Sequence, residues 1–244
     1  MRRLVWLALV LALTSCKSTR NPEHEFFDKV SMLTKEELLA KGDALVEKRR
    51  WEEARKHYSF LADSFPNDPL GRRAALKVAD TYFAQKDLES LTEAQLRYKD
   101  FSNRFPSDQA RAYALLMLGK CSFQQHRGPQ RDLGPVREAA ASFRQVTELF
   151  PDAPEAEEAA KLLQRCREDL AAHELEVARY HARLMAWEGA WQRLSYLMET
   201  YPETQAARAA APLIAEAKHI RGDDQKAAPT PSATPAPAPS PPLQ

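Results

Sequence analysis

The strongest constraint on this chain is a phrase that recurs four times: an alanine and, eleven positions later, an aromatic residue followed by proline. It runs from Ala54 to Phe65-Pro66, Ala94 to Phe105-Pro106, Ala139 to Phe150-Pro151 and Ala190 to Tyr201-Pro202. Four positions after each alanine stands a bulky apolar side chain: Tyr58, Tyr98, Phe143 or Leu194. On a helix that offset stacks the small and the large residue on one face, a turn apart. The small residue admits a neighbouring helix and the large one fills the space beside it. The proline then ends the helix, because it lacks an N–H and restricts the residue before it. Four copies at one internal spacing define a repeat, and repeats of this size bury their apolar faces only by stacking on one another.

The closing prolines lie 40, 45 and 51 residues apart, so the units differ in length while their second helices stay alike. In the first unit Gly42 stands twelve positions before Ala54 and Trp51 three before it; in the fourth, Ala178 and Trp187 hold the same places before Ala190. A small residue in the first helix, an aromatic opening the second, then alanine, aromatic and proline resembles the tetratricopeptide (TPR) pattern. The expected fold is an all-α, TPR-like solenoid of helical hairpins: about four repeats plus a capping helix over residues 34–222. The second and third units carry extra residues between their helices. Seven glycines in 244 residues and an abundance of alanine agree with helices throughout.

The chain opens with Met1-Arg2-Arg3 and an apolar run over 4–12, too short to span a bilayer. The run ends in Leu13-Thr14-Ser15-Cys16, which resembles a bacterial lipobox. The resemblance implies that residues 1–15 are a signal peptide and that Cys16 is lipidated and becomes the mature N-terminus. Lys17 follows where many inner-membrane lipoproteins carry aspartate, which favours the outer membrane. Residues 16–33 read as the lipidated N-terminus and a polar tether. Loss of Arg2 and Arg3 takes the formal charge from +1 to −1. A near-neutral chain without a basic stripe offers nucleic acid no electrostatic footing, so the expected partners are proteins.

Thr34 with Glu37 forms a capping box for the first repeat helix, and Asn67-Asp68-Pro69 signals the restart of the next. Arg127-Gly128-Pro129 through Gly134-Pro135 reads as a loop inserted into the third repeat. Residues 152–187 lack any proline after Pro154, but their apolar stripe shifts from Ala159, Leu163, Cys166 and Leu170 to Val177, His181, Leu184 and Met185. A bend or two abutting helices is expected near Ala171 to Glu174. Glu203 to Arg221 reads as a capping helix that Pro212 should kink. Residues 223–244 form a tail that holds seven prolines in the last eighteen positions, and such a composition is expected to be extended and disordered.

No catalytic constellation emerges. His173-Glu174 opens like a zinc-protease helix, but Val177 occupies the place of the second histidine. Arg221-Gly222-Asp223 spells an adhesion tripeptide that chance explains at a helix end. Cys121 and Cys166 sit among apolar helical positions and are expected to be buried thiols. The tryptophans and the aromatic–proline pairs read as core. The protein is expected to be no enzyme and to hold no cofactor or metal.

A lipobox followed by TPR-like units resembles the BamD family, lipoproteins of the outer-membrane β-barrel assembly machinery. The residues that carry the resemblance are Phe150-Pro151, the run Ala159-Ala160-Lys161-Leu162-Leu163, Arg167-Glu168-Asp169-Leu170-Ala171, the stretch from Val177 to His181 and Gly189-Ala190-Trp191. Tyr201-Pro202-Glu203-Thr204-Gln205-Ala206 with Arg208, Pro212 and Leu213 matches most closely. The resemblance covers residues 35–222 and implies a scaffold on the periplasmic face of the outer membrane. Its later repeats would bind the barrel-forming core subunit, with Arg208 and Tyr201 as partner-binding residues, and its earlier repeats would receive segments of unfolded outer-membrane proteins. An alternative of another class is a TPR lipoprotein that coordinates peptidoglycan or cell-division enzymes.

Overall fold

The computed structural model describes residues 22–128 and 130–227; residues 1–15, expected to be a signal peptide, Cys16, and the expected tail beyond residue 227 lie outside them. Among the described residues every regular element is a helix. The chain divides into two compact units, residues up to 97 and residues from 98 onward, with the boundary inside one helix.

The first unit holds α1 (Pro22–Val30), α2 (Lys35–Glu47), α3 (Trp51–Ser64), α4 (Pro69–Phe83) and most of α5 (Leu88–Arg104). Thr34 caps α2 with both halves of the capping box in place, and Asp68 caps α4 immediately before Pro69. Consecutive helices α2, α3 and α4 pack as neighbours around Val30, Leu38, Ala54, Tyr58, Leu61, Ala74 and Val78. Tyr58 lies against Gly42, where a Cβ would collide with its ring. Its hydroxyl donates to Asp43 at 2.5 Å, and Lys77 reaches the same carboxylate at 2.8 Å. Burial, then the bond to Asp43, pushes the Tyr58 phenol well above its ordinary range. The expected tether thus ends in a helix, because Val30 supplies an apolar plug for this core.

The second unit holds the end of α5 with α6 (Arg111–Gln125), α7 (Gly134–Leu149), α8 (Ala156–Arg183), α9 (Trp187–Thr200), α10 (Gln205–Ala209) and α11 (Ala211–Ala227). Here α6 packs on α7, α7 on α8, α8 on α9, and α9 on α11. Leu116, Val136, Phe143, Val146, Cys166, Leu170, Leu194 and Leu197 fill the centre. Cys121 and Cys166 are buried thiols not joined in a disulfide, and burial pushes the Cys166 thiol up to about 12.

The repeated phrase is the framework of both units. Ala54, Ala94, Ala139 and Ala190 have no exposed surface, and Tyr58, Tyr98, Phe143 and Leu194 have 1% or less. The aromatic before each proline leaves the helix in the same way, with φ near −134°, −135° and −132° at Phe65, Phe150 and Tyr201. Its carbonyl then accepts from the N–H three residues on, in all four turns: Asp68, Asp108, Ala153 and Thr204. Proline's restriction of the preceding residue and the turn it starts are therefore one recurring device.

Two expectations are corrected. Where a bend or two abutting helices is expected near Ala171 to Glu174, one uninterrupted helix stands in place of two: α8 has 28 residues, roughly 42 Å at the helical rise. Its buried stripe runs Ala159, Cys166, Leu170, Ala171, Glu174, Leu175 and Ala178. The positions read as a second stripe, Leu184 and Met185, are instead exposed in the turn after it. The capping helix is broken rather than kinked. It ends at Ala209 and restarts at Ala211, which places Pro212 in the first turn of α11, where its missing N–H leaves no helical bond unmade.

Candidate partner-docking site

The fourth aromatic–proline turn is gripped by a neighbouring helix, as the first is by Lys35, which reaches Asp68 and lies over the Phe65 ring. Tyr201, Pro202, Glu203, Thr204 and Gln205 connect α9 to α10, and two adjacent residues of α8 hold the connection. The Arg167 Nη2 donates to the Thr200 carbonyl at 2.7 Å, its Nε donates to Glu203 at 2.5 Å, and its guanidinium lies 5.1 Å from the Tyr201 ring centroid. Glu168 accepts from the Gln205 backbone N–H with both oxygens, at 2.9 and 3.2 Å. One side chain thus ties down carbonyl, carboxylate and ring, and the next ties down the first N–H of α10. The bond from Arg167 holds the Glu203 carboxyl below its usual range, and Glu203 in turn raises Arg167.

Thr204 works from inside the turn. It is fully buried, its hydroxyl donates to the Tyr201 carbonyl at 2.8 Å, and the same oxygen accepts from Ala207 at 3.2 Å. That is an N-cap for α10 and a brace for the turn in one side chain. Tyr201 is buried, with Tyr196 edge-on at 6.1 Å. Burial, then its bond with Tyr196, raises the phenol to about 12, so it stays neutral and acts as packing and as a hydrogen-bonding group. About two turns further along α8, buried Glu174 meets Arg193 of α9 at 3.2 Å.

The two residues singled out from sequence fall seven positions apart and play different parts. Arg208 is exposed on α10 and donates to the Glu203 carbonyl at 3.0 Å, while Ala206, Ala207 and Ala210 turn into the core. The guanidinium is therefore carried at the surface by a short helix whose other face is fixed by small side chains. Tyr201 is not presented at the surface but lies under Arg167. Sequence reasoning missed Arg167 and Glu168 as the residues that set this turn. They stood in the quoted Arg167-Glu168-Asp169 run, yet nothing in a linear sequence points from there to residues 33 to 37 positions on. The arrangement is a rigid, charged and hydrogen-bonding ledge. Among the described residues there is no group of three histidine, cysteine or acidic side chains placed to hold a metal ion, and no helix is long and apolar enough to cross a membrane.

Comparison with known proteins places this all-helical chain in a family. A family model described as YfiO, outer membrane lipoprotein, matches residues 32–232. The outer membrane protein assembly factor BamD of Haemophilus influenzae is 24% identical over 231 residues, covering 91% of this chain and 84% of the relative. The factor of the same name from Vibrio cholerae is 26% identical over 200 residues, covering 78% and 82%. That of Neisseria meningitidis is 24% identical over 241 residues, covering 93% and 87%. With the match spanning both helical units and the turn at Tyr201, the chain belongs to the BamD (YfiO) family of outer membrane lipoproteins.

Proposed function

We propose that this protein is an outer-membrane protein assembly factor: a scaffold anchored through lipidated Cys16 at the periplasmic face of the outer membrane. Its second unit docks the barrel-forming core subunit of the assembly machinery on the α8–α10 ledge, and its first unit receives segments of unfolded outer-membrane proteins. The names of its relatives support the assembly role. The observation that carries the docking reading is the gripped turn. Arg167, Glu168 and Thr204 spend at least five hydrogen bonds on one connection, which holds α10 and exposed Arg208 in a fixed pose. A rigid ledge with a planar, bidentate guanidinium suits a carboxylate on a folded partner, because little side-chain and loop entropy remains to be lost on binding. In this reading Arg208 makes the contact and Tyr201 positions it from below.

The test is capture of the core subunit by the full mature chain. Arg208→Glu replaces attraction with repulsion in a desolvated contact and is expected to cost about 2–5 kcal/mol of binding. Folding should hardly change, since Arg208 is exposed. Wild-type affinity for the core subunit at moderate salt would refute the docking assignment.

A further inference from the structure

The first unit carries an apolar surface at the edge of its core, where Phe26 and Phe60 are half-buried against the core and Phe27 stays exposed. Between α1 and α3 lies a cleft of about 660 Å³, lined by Phe26, Phe27 and Phe60 with exposed Lys56 and Asp63. Phe26 is edge-on to His57 at 5.2 Å and Phe27 edge-on to Phe60 at 5.7 Å, so the rings are stacked into a built surface. Phe27 is nonetheless 56% exposed, and Met32, in the turn after α1, is 87% exposed. Val30, one turn after Phe27, is buried and pins the end of the same helix to the core, which fixes where Phe27 and the following Met32 stand.

The place of this surface in the chain says what covers it. Only five residues separate Cys16 from Pro22, so α1 starts no more than about 20 Å of fully extended chain from the lipid-bearing residue. We infer that the α1–α3 cleft, with Phe27 and Met32, is a membrane-contact surface that seats the first unit on the inner leaflet of the bilayer holding its lipid. The occupant is a phospholipid surface, with the aromatic rings at the level of the headgroups and upper acyl chains. Lys56 and Asp63 supply one cation and one anion beside the apolar patch, which suits the phosphate and the ammonium of a zwitterionic headgroup. A second contact near the tether would convert a swinging lipid anchor into an oriented one. This inference rests on the lipid-anchored part of the proposed function.

The decisive measurement uses the full mature chain carrying Cys16→Ser, so that no acyl chain contributes, and vesicles of phosphatidylethanolamine and phosphatidylglycerol. The unacylated chain is expected to bind weakly, and Phe27→Glu with Met32→Glu should lower its partition roughly tenfold or more, given the apolar area withdrawn. Met32→Glu alone guards against misfolding, because that side chain is almost wholly exposed, and should lower the partition severalfold. Met185→Glu, at 73% exposure in the second unit, should leave it unchanged. The inference is overturned if the unacylated chain does not bind vesicles, or if Met185→Glu weakens binding as much as the cleft substitutions. It also falls if the cleft substitutions spare vesicle binding and abolish capture of an apolar peptide, which would make the cleft a peptide site. Detergent-phase fractionation of the Cys16→Ser protein from cells reports separately on the anchor, so failure of the one reading is distinguishable from failure of the other.

Discussion

Replacing Gly119 with alanine should destabilise the protein, although alanine is the better helix former. Gly119 lies inside α6, and a Cβ there would sit 2.5 Å from Phe143 Cε1, 2.8 Å from Cδ1 and 3.0 Å from Cζ. The Phe143 ring has no exposed surface and packs in the centre of the second unit, so it has no empty space to retreat into. Two effects oppose. Removing a helix-interior glycine gains about 1 kcal/mol of propensity. Forcing a methyl group into a close-packed core costs about 1–3 kcal/mol, and the three contacts place this case at the upper end. The net expectation is a loss of about 1–2 kcal/mol, or roughly 2–8 °C in Tm for a chain of this size. Gly222→Ala is the internal control: it lies in α11, where a Cβ meets nothing within 4 Å, and should gain about 0.5–1 kcal/mol. Urea unfolding followed by circular dichroism reads both. Phe143→Leu added to Gly119→Ala should recover part of the loss, since a smaller side chain makes room for the methyl. Equal stabilisation by the two alanines would show that Gly119 is there for no packing reason, and the close approach of α6 to α7 would have to be abandoned as its cause.

Met185 adopts φ of 58° in the turn between α8 and α9, where Met185 N–H bonds to Ala182 and Ala186 N–H to His181, as in a Schellman ending. Met185→Gly relieves the left-handed strain of an exposed side chain and should raise the urea midpoint by the equivalent of about 0.5–1 kcal/mol, whereas a fall would refute strain at that site. Thr204→Ala removes the cap of α10 and the brace to Tyr201 and should cost about 1–2 kcal/mol, with Thr204→Ser recovering most of it in the same assay. The Glu203 carboxyl is held below its ordinary value of 4.5, so its pairing with Arg167 stabilises the fold above that pH and is lost as pH falls through the lower folded value. Arg167 and Glu203 are partly exposed, so the contribution is no more than about 0.5–1 kcal/mol. It should appear as a shallower acid-side decline of stability in Glu203→Gln than in the wild type, and identical pH profiles would remove the pair from the account.

How much was legible in the sequence follows from the range over which each cause acts. The four alanine–aromatic–proline phrases are local: spacing on one helix and the stop that follows depend on residues within about a dozen positions, so the repeats, their buried alanines and their turns could be read directly. Gly42 could be picked out as the small residue of its helix because it stands twelve before Ala54, and the structure sets it against Tyr58. Its counterpart Gly119, set against Phe143, was hidden because the inserted loop moves it to twenty before Ala139. The continuity of α8 was misread for a related reason. Val177, His181, Leu184 and Met185 keep helical spacing, but which stripe of a long helix is buried depends on the neighbours it meets, and here α7 and α9 cover the stripe through Leu170, Glu174 and Ala178. The ledge itself belongs wholly to the tertiary structure. Tyr201, Thr204 and Arg208 could be picked out as a pattern, yet Arg167 and Glu168 reach them only because α8 lies alongside the end of α9. The exposure of Phe27 is likewise decided by packing: Val30, three positions on, is covered by the core, whereas Phe27 meets only Phe26 and Phe60 and stays 56% exposed.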